Sequence, residues 1–490
     1  MCNGDNVLLI CTDHWPGQLL GAAGHPTILT PTLDELCENG VRFSRAYAEC
    51  PVCIPARRTL MTGTSPRTHG DRVFQATLTM PQLPTLAEVF RDAGYQANAV
   101  GKIHVFPQRN RIGFNDVILH EEGRTQFGVM DDYDIFLGDK GYPGQQFAHG
   151  MSNNQYVSRP WHLPEELHPI EWATAQMERV IRRRDPTRPA FWYLSFSHPH
   201  PPLVPLAEYM AMYTGTDDDP PIGDWAEDTA TLPFKLREVS RVGERLSPAG
   251  RRAARRAFYA LCTQIDHQIR RVIGTLREEG LLDRTHILFI SDHGDMLGTH
   301  RLWAKRSFYE GSAAVPMIMC NPPGRRRANP GTVDDRLVGL QDVMPTLLDL
   351  CGIPVPKSVE GVSAVGSVVR ETLYGEEGEG IRATRMVHDG RYKLIYYSSG
   401  NVTQLFDLDS DPLECHNLSS RPEHATTVRR LTEELVARLY GSDRAWLCDG
   451  SLIGEQEPLE PMDPVPGLYG QRGSHWPPPP ATGADLADHR

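Results

Sequence analysis

Residues 6–11, Asn-Val-Leu-Leu-Ile-Cys, form an unbroken apolar run that stops at Thr12-Asp13. Such a run, without polar alternation, predicts a strand buried on both faces, as in a parallel sheet. Further strands are predicted over 41–47, 95–100, 190–196 and 286–291. Helical periodicity predicts helices over 31–39, closed by Gly40, and over 83–93, 169–184 and 253–279. Strands alternating with helices predict a doubly wound α/β sheet.

The pattern then changes. Segments 106–160 and 201–248 are polar, rich in Gly and Asp and poorly periodic, and are expected to be long loops over a site. Beyond about residue 380, short runs over 382–387, 392–397 and 403–407 predict antiparallel strands, with Asp389-Gly390 and Ser399-Gly400-Asn401 at the turns. A helix is predicted over 422–440. Residues 455–490 are rich in Pro and Gly, including Pro477 to Pro480, and read as an extended arm. The expected organisation is a catalytic domain over 1–378, a small α+β domain over 379–450 and a Pro/Gly-rich arm over 451–490.

Composition narrows the function. A chain of 490 residues has ample length for a large core. The formal net charge is −12 and no long basic run stands out, which argues against nucleic acid as a partner. A small anionic substrate therefore needs positive charge focused in a pocket. There is no 18-residue apolar run, so no membrane span is expected. Met1-Cys2-Asn3-Gly4-Asp5 carries no export pattern. The ten cysteines are spread thinly and are read as reduced thiols of a cytoplasmic protein.

Chemistry gathers at the predicted strand ends. Asp13 and His14 end the first strand, Lys102 and His104 follow the 95–100 strand, His198 and His200 follow 190–196, and Asp292 and His293 follow 286–291. Ligands bind outside the carboxyl ends of strands in open α/β sheets. Cys53-Ile54-Pro55-Ala56-Arg57 opens a predicted short helix, whose N-terminus suits an anion. Arg57, one turn on, can reach the same anion. A buried structural cysteine, or a Cys50/Cys53 redox or metal pair, is the competing reading.

Cys53-x-Pro55-x-Arg57 followed by Thr62-Gly63 resembles the sulfatase signature. Gly101-Lys102-Ile103-His104 resembles that family's G-K-x-H element, and Pro199-His200-Pro201-Pro202 its P-H-x-P loop. Ser291-Asp292-His293-Gly294-Asp295 through His300 resembles its second metal motif. Lys305 with Phe308-Tyr309-Glu310-Gly311-Ser312 resembles its lysine segment, and Asp342-Val343-Met344-Pro345-Thr346 a helix of the same fold. By this ordered set the chain is identified as a member of the cysteine-type, formylglycine-dependent sulfatases of the alkaline phosphatase superfamily.

The resemblance implies an alkaline-phosphatase-like sandwich: a large, mostly parallel central sheet flanked by helices, plus a smaller C-terminal α+β domain with an antiparallel sheet. It implies arylsulfatase-like hydrolysis of a sulfate monoester. Cys53, converted to formylglycine by a maturation enzyme, would provide the nucleophile. Arg57, Lys102, His104, His200 and Lys305 would be its catalytic partners, with His200 as general acid and His104 as base. Asp13, His14, the residue 53 oxygen, Asp292 and His293 would hold one divalent metal. The family implies calcium, whereas the imidazoles of His14 and His293 suit manganese or another transition metal. His14 is read either as a ligand or as a residue bonded to a loop. His198 and His300 are expected near the site, and Trp161 and Trp303 are candidate pocket aromatics. Alternatives are a phosphonate monoester hydrolase or phosphodiesterase of the same superfamily, and a non-catalytic binding protein. Homo-oligomerisation stays open, with the C-terminal arm available to embrace a neighbour.

Overall fold

The computed structural model describes residues 4–458, except 125, 127, 217 and 218, together with 471 and 472. The apolar runs form a central sheet: β1 (Asn6–Thr12), β2 (Val41–Tyr47), β3 (Gln96–Gly101), β4 (Asp116–Leu119), β5 (Ala190–Ser195), β6 (Thr285–Ser291), β7 (Met317–Cys320) and β8 (Thr332–Gly339). Their order is β4-β3-β5-β1-β6-β7-β2-β8. All run parallel except β7, which is antiparallel to β6 and β2.

Because side chains alternate across a strand, each central strand feeds two cores. Leu8 and Ile10 of β1 pack with Trp192, Phe289 and helices Pro169–Arg182 and Pro248–Glu278. Val7, Leu9 and Cys11 pack with Phe191, Leu288 and helices Cys53–Thr62, Leu86–Asp92 and Val343–Leu350. Covering both faces is what allows near-continuous apolar strands to stay out of water. Among the described residues no helix is long and apolar enough to cross a membrane.

Several boundaries differ from expectation for local reasons. The helix expected over 83–93 spans Leu86–Asp92, because Thr85 caps it by accepting from the Glu88 backbone N–H at 3.2 Å. The long helix begins earlier than 253, at Pro248, where Ser247 accepts from Gly250 N–H at 3.1 Å. The supposed loops contain β4, a helix at Asp132–Asp139 capped by Asp131, and helices at Ala207–Met212 and Phe234–Glu244.

A second sheet, order β12-β11-β10-β9, comprises β9 (Leu373–Glu377), β10 (Thr384–His388), β11 (Tyr392–Tyr397) and β12 (Val402–Asp407), all antiparallel. β9 lies before the expected boundary at 379, so this unit begins earlier in the chain. Helix Ala425–Arg438 covers one face through Leu431 and Leu435. The other face packs Met386, Ile395 and Phe406 against Phe308 and Tyr309. A hairpin, β13 (Leu447–Cys448) with β14 (Ser451–Leu452), spans the boundary expected at 451, and Glu455 accepts from Trp446 Nε1 at 2.7 Å. Pro477 to Pro480 lie outside the described residues.

Buried ions fasten the two sheets together. Arg385 of β10 donates twice to Asp443 at 2.9 Å, and Arg72 donates to the same carboxylate at 2.8 Å and to Glu376 at 3.1 Å. Lys393 of β11 pairs with Glu310 at 2.6 Å and Glu414 at 2.7 Å. Removing one partner of a buried set strands the other charge. Asp443→Ala is therefore expected to cost about 3–5 kcal/mol. A lowered denaturant midpoint, with near-normal turnover in the absence of denaturant, is the expected result of the measurement.

Candidate active site

The site lies at the carboxyl ends of β1, β3, β5 and β6, where each strand hands its chain to a loop. Gly101 has φ +100°, and a Cβ there would sit 1.9 Å from the Ser195 carbonyl oxygen. Only glycine fits this close approach, which lets Lys102 N–H donate to Ser195 O at 2.9 Å and aims the lysine inward. His14 (φ 74°) and His104 (φ 60°) also occupy the left-handed region. Such backbone strain costs of order 1–3 kcal/mol and gathers at functional sites.

Cys53 is the first residue of its helix and is buried. Its Sγ lies 2.6 Å from Lys305 Nζ, 3.3 Å from His293 Nε2 and 3.6 Å from Asp13 Oδ1. A structural cysteine packs among apolar groups; this one is ringed by a lysine, an imidazole and an acid. Burial and the Asp13 charge push the thiol up, against the opposing pull of Lys305 and Lys102. As an unmodified thiol it is thus neutral and a weak nucleophile. Cys50 faces the Arg72 carbonyl at 3.8 Å, and the nine described cysteines are all free.

Arg57 joins the four strand ends. Its Nε donates to Asp292 Oδ2 at 2.9 Å, Nη1 to Ser195 Oγ at 2.8 Å and Lys102 O at 3.1 Å, and Nη2 to Asp13 Oδ2 at 3.4 Å. Lys102 Nζ reaches Asp13 Oδ2 at 2.6 Å and Glu122 at 3.0 Å. Desolvation drives the Asp13 carboxyl upward, but Lys102 first, with Lys305, holds it well below the usual range.

Asp13, His14, Cys53 and His293 each offer a donor atom, all within 4.8 Å of one another. The tautomers suit ligation. His293 Nδ1–H donates to Gly294 O at 2.9 Å and His14 Nδ1–H to Asp295 at 2.8 Å, so both Nε2 lone pairs face the cluster. His14 Nε2, on the cluster side, also accepts from Lys305 Nζ at 2.7 Å. Burial pushes His293 down to about 4 and, with Lys305 next in importance, drives His14 well below its ordinary value. Both are neutral imidazoles, the form that binds metals. Asp292 borders the cluster: its Oδ1 accepts from His293 N–H at 2.9 Å and His14 N–H at 3.4 Å, and lies 3.5 Å from His293 Nε2. Carboxylate and imidazole donors at this spacing fit a divalent cation.

The remaining expected residues divide. His200 stands edge-on to His14, ring centroids 4.4 Å apart, and donates through Nδ1 to Pro201 O at 2.7 Å. Burial, then Lys305, keep it neutral. His104 is held by its backbone N–H on Glu121 at 2.8 Å, and its Nδ1 has no hydrogen-bond partner among the described residues. His198 and Trp161 line a cleft beside His200. His300 and Trp303 do not: His300 accepts from Gly223 N–H at 3.0 Å under Trp225, and Trp303 packs on Tyr156 in the core. Sequence reasoning missed Glu121, Glu122, Arg124 and Asp295. Arg124 pairs with Glu122, which in turn holds Lys102. Asp295 sat within the quoted motif, and its partnership with His14 at i+281 carries no local signal.

A family model described as Sulfatase matches residues 5–353, and one described as N-sulphoglucosamine sulphohydrolase, C-terminal, matches 298–440. The chain is 35% identical to an arylsulfatase of Clostridium perfringens, over 93% of this chain and 98% of that protein. It is 30% identical to a choline-sulfatase of Rhizobium meliloti, over 87% and 85% respectively. In fold it is similar to the phosphonate monoester hydrolase of Agrobacterium radiobacter, with a TM-score of 0.77 at 23% identity, over 92% of this chain and 99% of that one.

Two substitutions check the donor cluster. Asp295→Ala removes the acceptor that sets the His14 tautomer, and is expected to weaken metal affinity about 10–100-fold, measured by metal titration. Asp13→Asn also leaves buried Lys102 without its 2.6 Å partner, and should lose bound metal and turnover together by elemental analysis and assay.

Proposed function

The chain belongs to the sulfatase family and is a sulfuric ester hydrolase; from that premise we propose that it cleaves an arylsulfatase-like sulfate monoester into a phenol or alcohol and inorganic sulfate. The observation that carries this reading is Cys53 at a helix N-terminus with Lys305 at 2.6 Å and the Asp13/His14/His293 donors around it. Converted to formylglycine by a maturation enzyme, residue 53 would supply an aldehyde hydrate as nucleophile; Asp13, His14, Asp292 and His293 would hold a divalent cation, which would supply positive charge beside it. Two inward imidazoles favour manganese or another transition metal over calcium.

The chain's own residues do the rest. Lys102 and Lys305 bring fixed positive charge to a sulfate group, an environment set before substrate arrives. Asp13 and Glu122 hold Lys102 in place, and Arg57 holds Asp13 and Asp292. His200 is neutral at rest. Burial and, second, the Lys305 charge depress it; an entering sulfate anion offsets the Lys305 part and so favours the protonated form that a leaving oxygen needs. His104, with an unpartnered Nδ1, is the base that collects a proton as residue 53 returns to the aldehyde.

The likeness in fold to a phosphonate monoester hydrolase keeps one competitor. Sulfate monoesters, phosphonate monoesters and phosphodiesters all carry one negative charge, so selectivity rests on what each substituent meets. Replacing one of three small oxygens leaves a buried donor unpaired, at about 1–3 kcal/mol, or about 5–150-fold in rate.

Protein from a host with the maturation enzyme is expected to carry formylglycine at position 53 by peptide mass spectrometry, and Cys53→Ala to be folded and inactive. In a side-by-side assay, nitrophenyl sulfate is expected to exceed a phenyl phosphonate ester and bis-nitrophenyl phosphate in kcat/KM. A lead of about tenfold or more for either phosphorus ester would transfer the assignment to the competitor.

A further inference from the structure

A cleft opens beside His200, which is itself part of its lining. Phe147, His149, Trp161 and His198 are among its lining residues, and Glu122 is the single charged side chain in that lining. Glu122 is already paired with Lys102 and Arg124. The cleft therefore offers aromatic faces and no uncommitted carboxylate. If His200 protonates the leaving oxygen, the leaving group lies here; this step rests on the reading above.

The aromatic lining is part of a longer chain of rings. Phe147, His149, His162, Trp161, His168 and His198 follow one another with centroids 4.7–5.7 Å apart. At one end the chain of rings reaches His198, which lines the cleft together with His200. At its other end the Arg472 guanidinium lies 4.3 Å from the Phe147 ring centroid. Arg472 Nη1 also donates to Gly123 O at 3.1 Å, and its backbone N–H to Gly150 O at 3.3 Å. Gln471 Nε2 donates to Gln155 Oε1 at 2.6 Å. Gly123 makes room for this arrangement: a Cβ there would meet Phe147 Cε2 at 2.4 Å and Arg472 Nη1 at 3.2 Å. Two residues more than 300 positions along the chain thus hold the segment that forms the cleft wall.

We propose that Arg472 is a positioning residue for the leaving-group pocket: stacked on Phe147, it fixes the outer end of a ring girdle that grips a flat, uncharged aromatic leaving group. Stacking and the two hydrogen bonds act on the wall; one of them falls next to Glu122, but Glu122 is also held by Arg124, and Lys102 by Asp13 at 2.6 Å. Loss of the brace should therefore weaken the grip on the aromatic group and leave the sulfate site alone.

Arg472→Ala and a chain ending at Gly470 are compared with wild type on 4-nitrophenyl sulfate. Both are expected to raise KM about 5–30-fold, with kcat, the inhibition constant of inorganic sulfate and the melting temperature within about twofold or a few degrees of wild type. Arg472→Lys, which keeps a cation over the ring, should recover part of the loss. An unchanged KM in both variants overturns the proposal. So does a sulfate inhibition constant that rises in step with KM, or a fall in melting temperature that accounts for the loss, since either makes Arg472 a general brace. If wild type prefers a phenyl phosphonate ester, the sulfate reading fails, and the same KM comparison with that ester still decides the role of Arg472.

Discussion

Burying Asp13 and Asp292 together is the constraint on which the rest depends. Two carboxylates at 0% exposure are tolerable only with paired cations and donors around them. Arg57 meets that demand by reaching both, and in doing so it touches the ends of β1, β3, β5 and β6. Its own charge is secured in return: desolvation opposes it, and Asp292 leads the groups that raise it well above the ordinary value. The geometry of the donor cluster is thus a by-product of charge compensation. Cys53, one helical turn from Arg57, is carried into the cluster by the same anchoring.

The central strands were legible because their burial leaves no polar alternation to confuse the period. β1, β2, β5 and β6 fall within one residue of their apolar runs at either end. β7 and β8 were not legible: four residues are too few for a period, and Thr-Val-Asp-Asp-Arg at the start of β8 looks like a turn. The helices inside 106–160 and 201–248 hide for a related reason. Helix Asp132–Asp139 is capped by Asp131 and carries three further acids, so its composition resembles a loop.

Site residues were legible where a strand end announced them and illegible where three-dimensional neighbours decide. Asp13, His14, Lys102, Asp292 and His293 stand directly after apolar runs. Glu121 and Glu122 stand in a stretch without period, and only the sheet order, which sets β4 beside β3, brings them under Lys102 and His104. Trp161 and Trp303 illustrate the same limit. Both looked like pocket aromatics; one lines the cleft, and the other fills space beside Gly243, where a Cβ would meet its ring at 2.1 Å.

The ion set around Lys393 bears on how far the chain can be divided. Glu310 lies in the segment that begins at Lys305, and it is held from β11 by Lys393 and through its backbone N–H by Glu414 at 2.7 Å. The smaller sheet is therefore the floor on which the second lysine of the site rests. A recombination or engineering scheme that treats it as a detachable module would break the chain at the joint between chemistry and support. Exchange between relatives preserves the site only when the Lys305 segment and the small sheet travel as one inherited block.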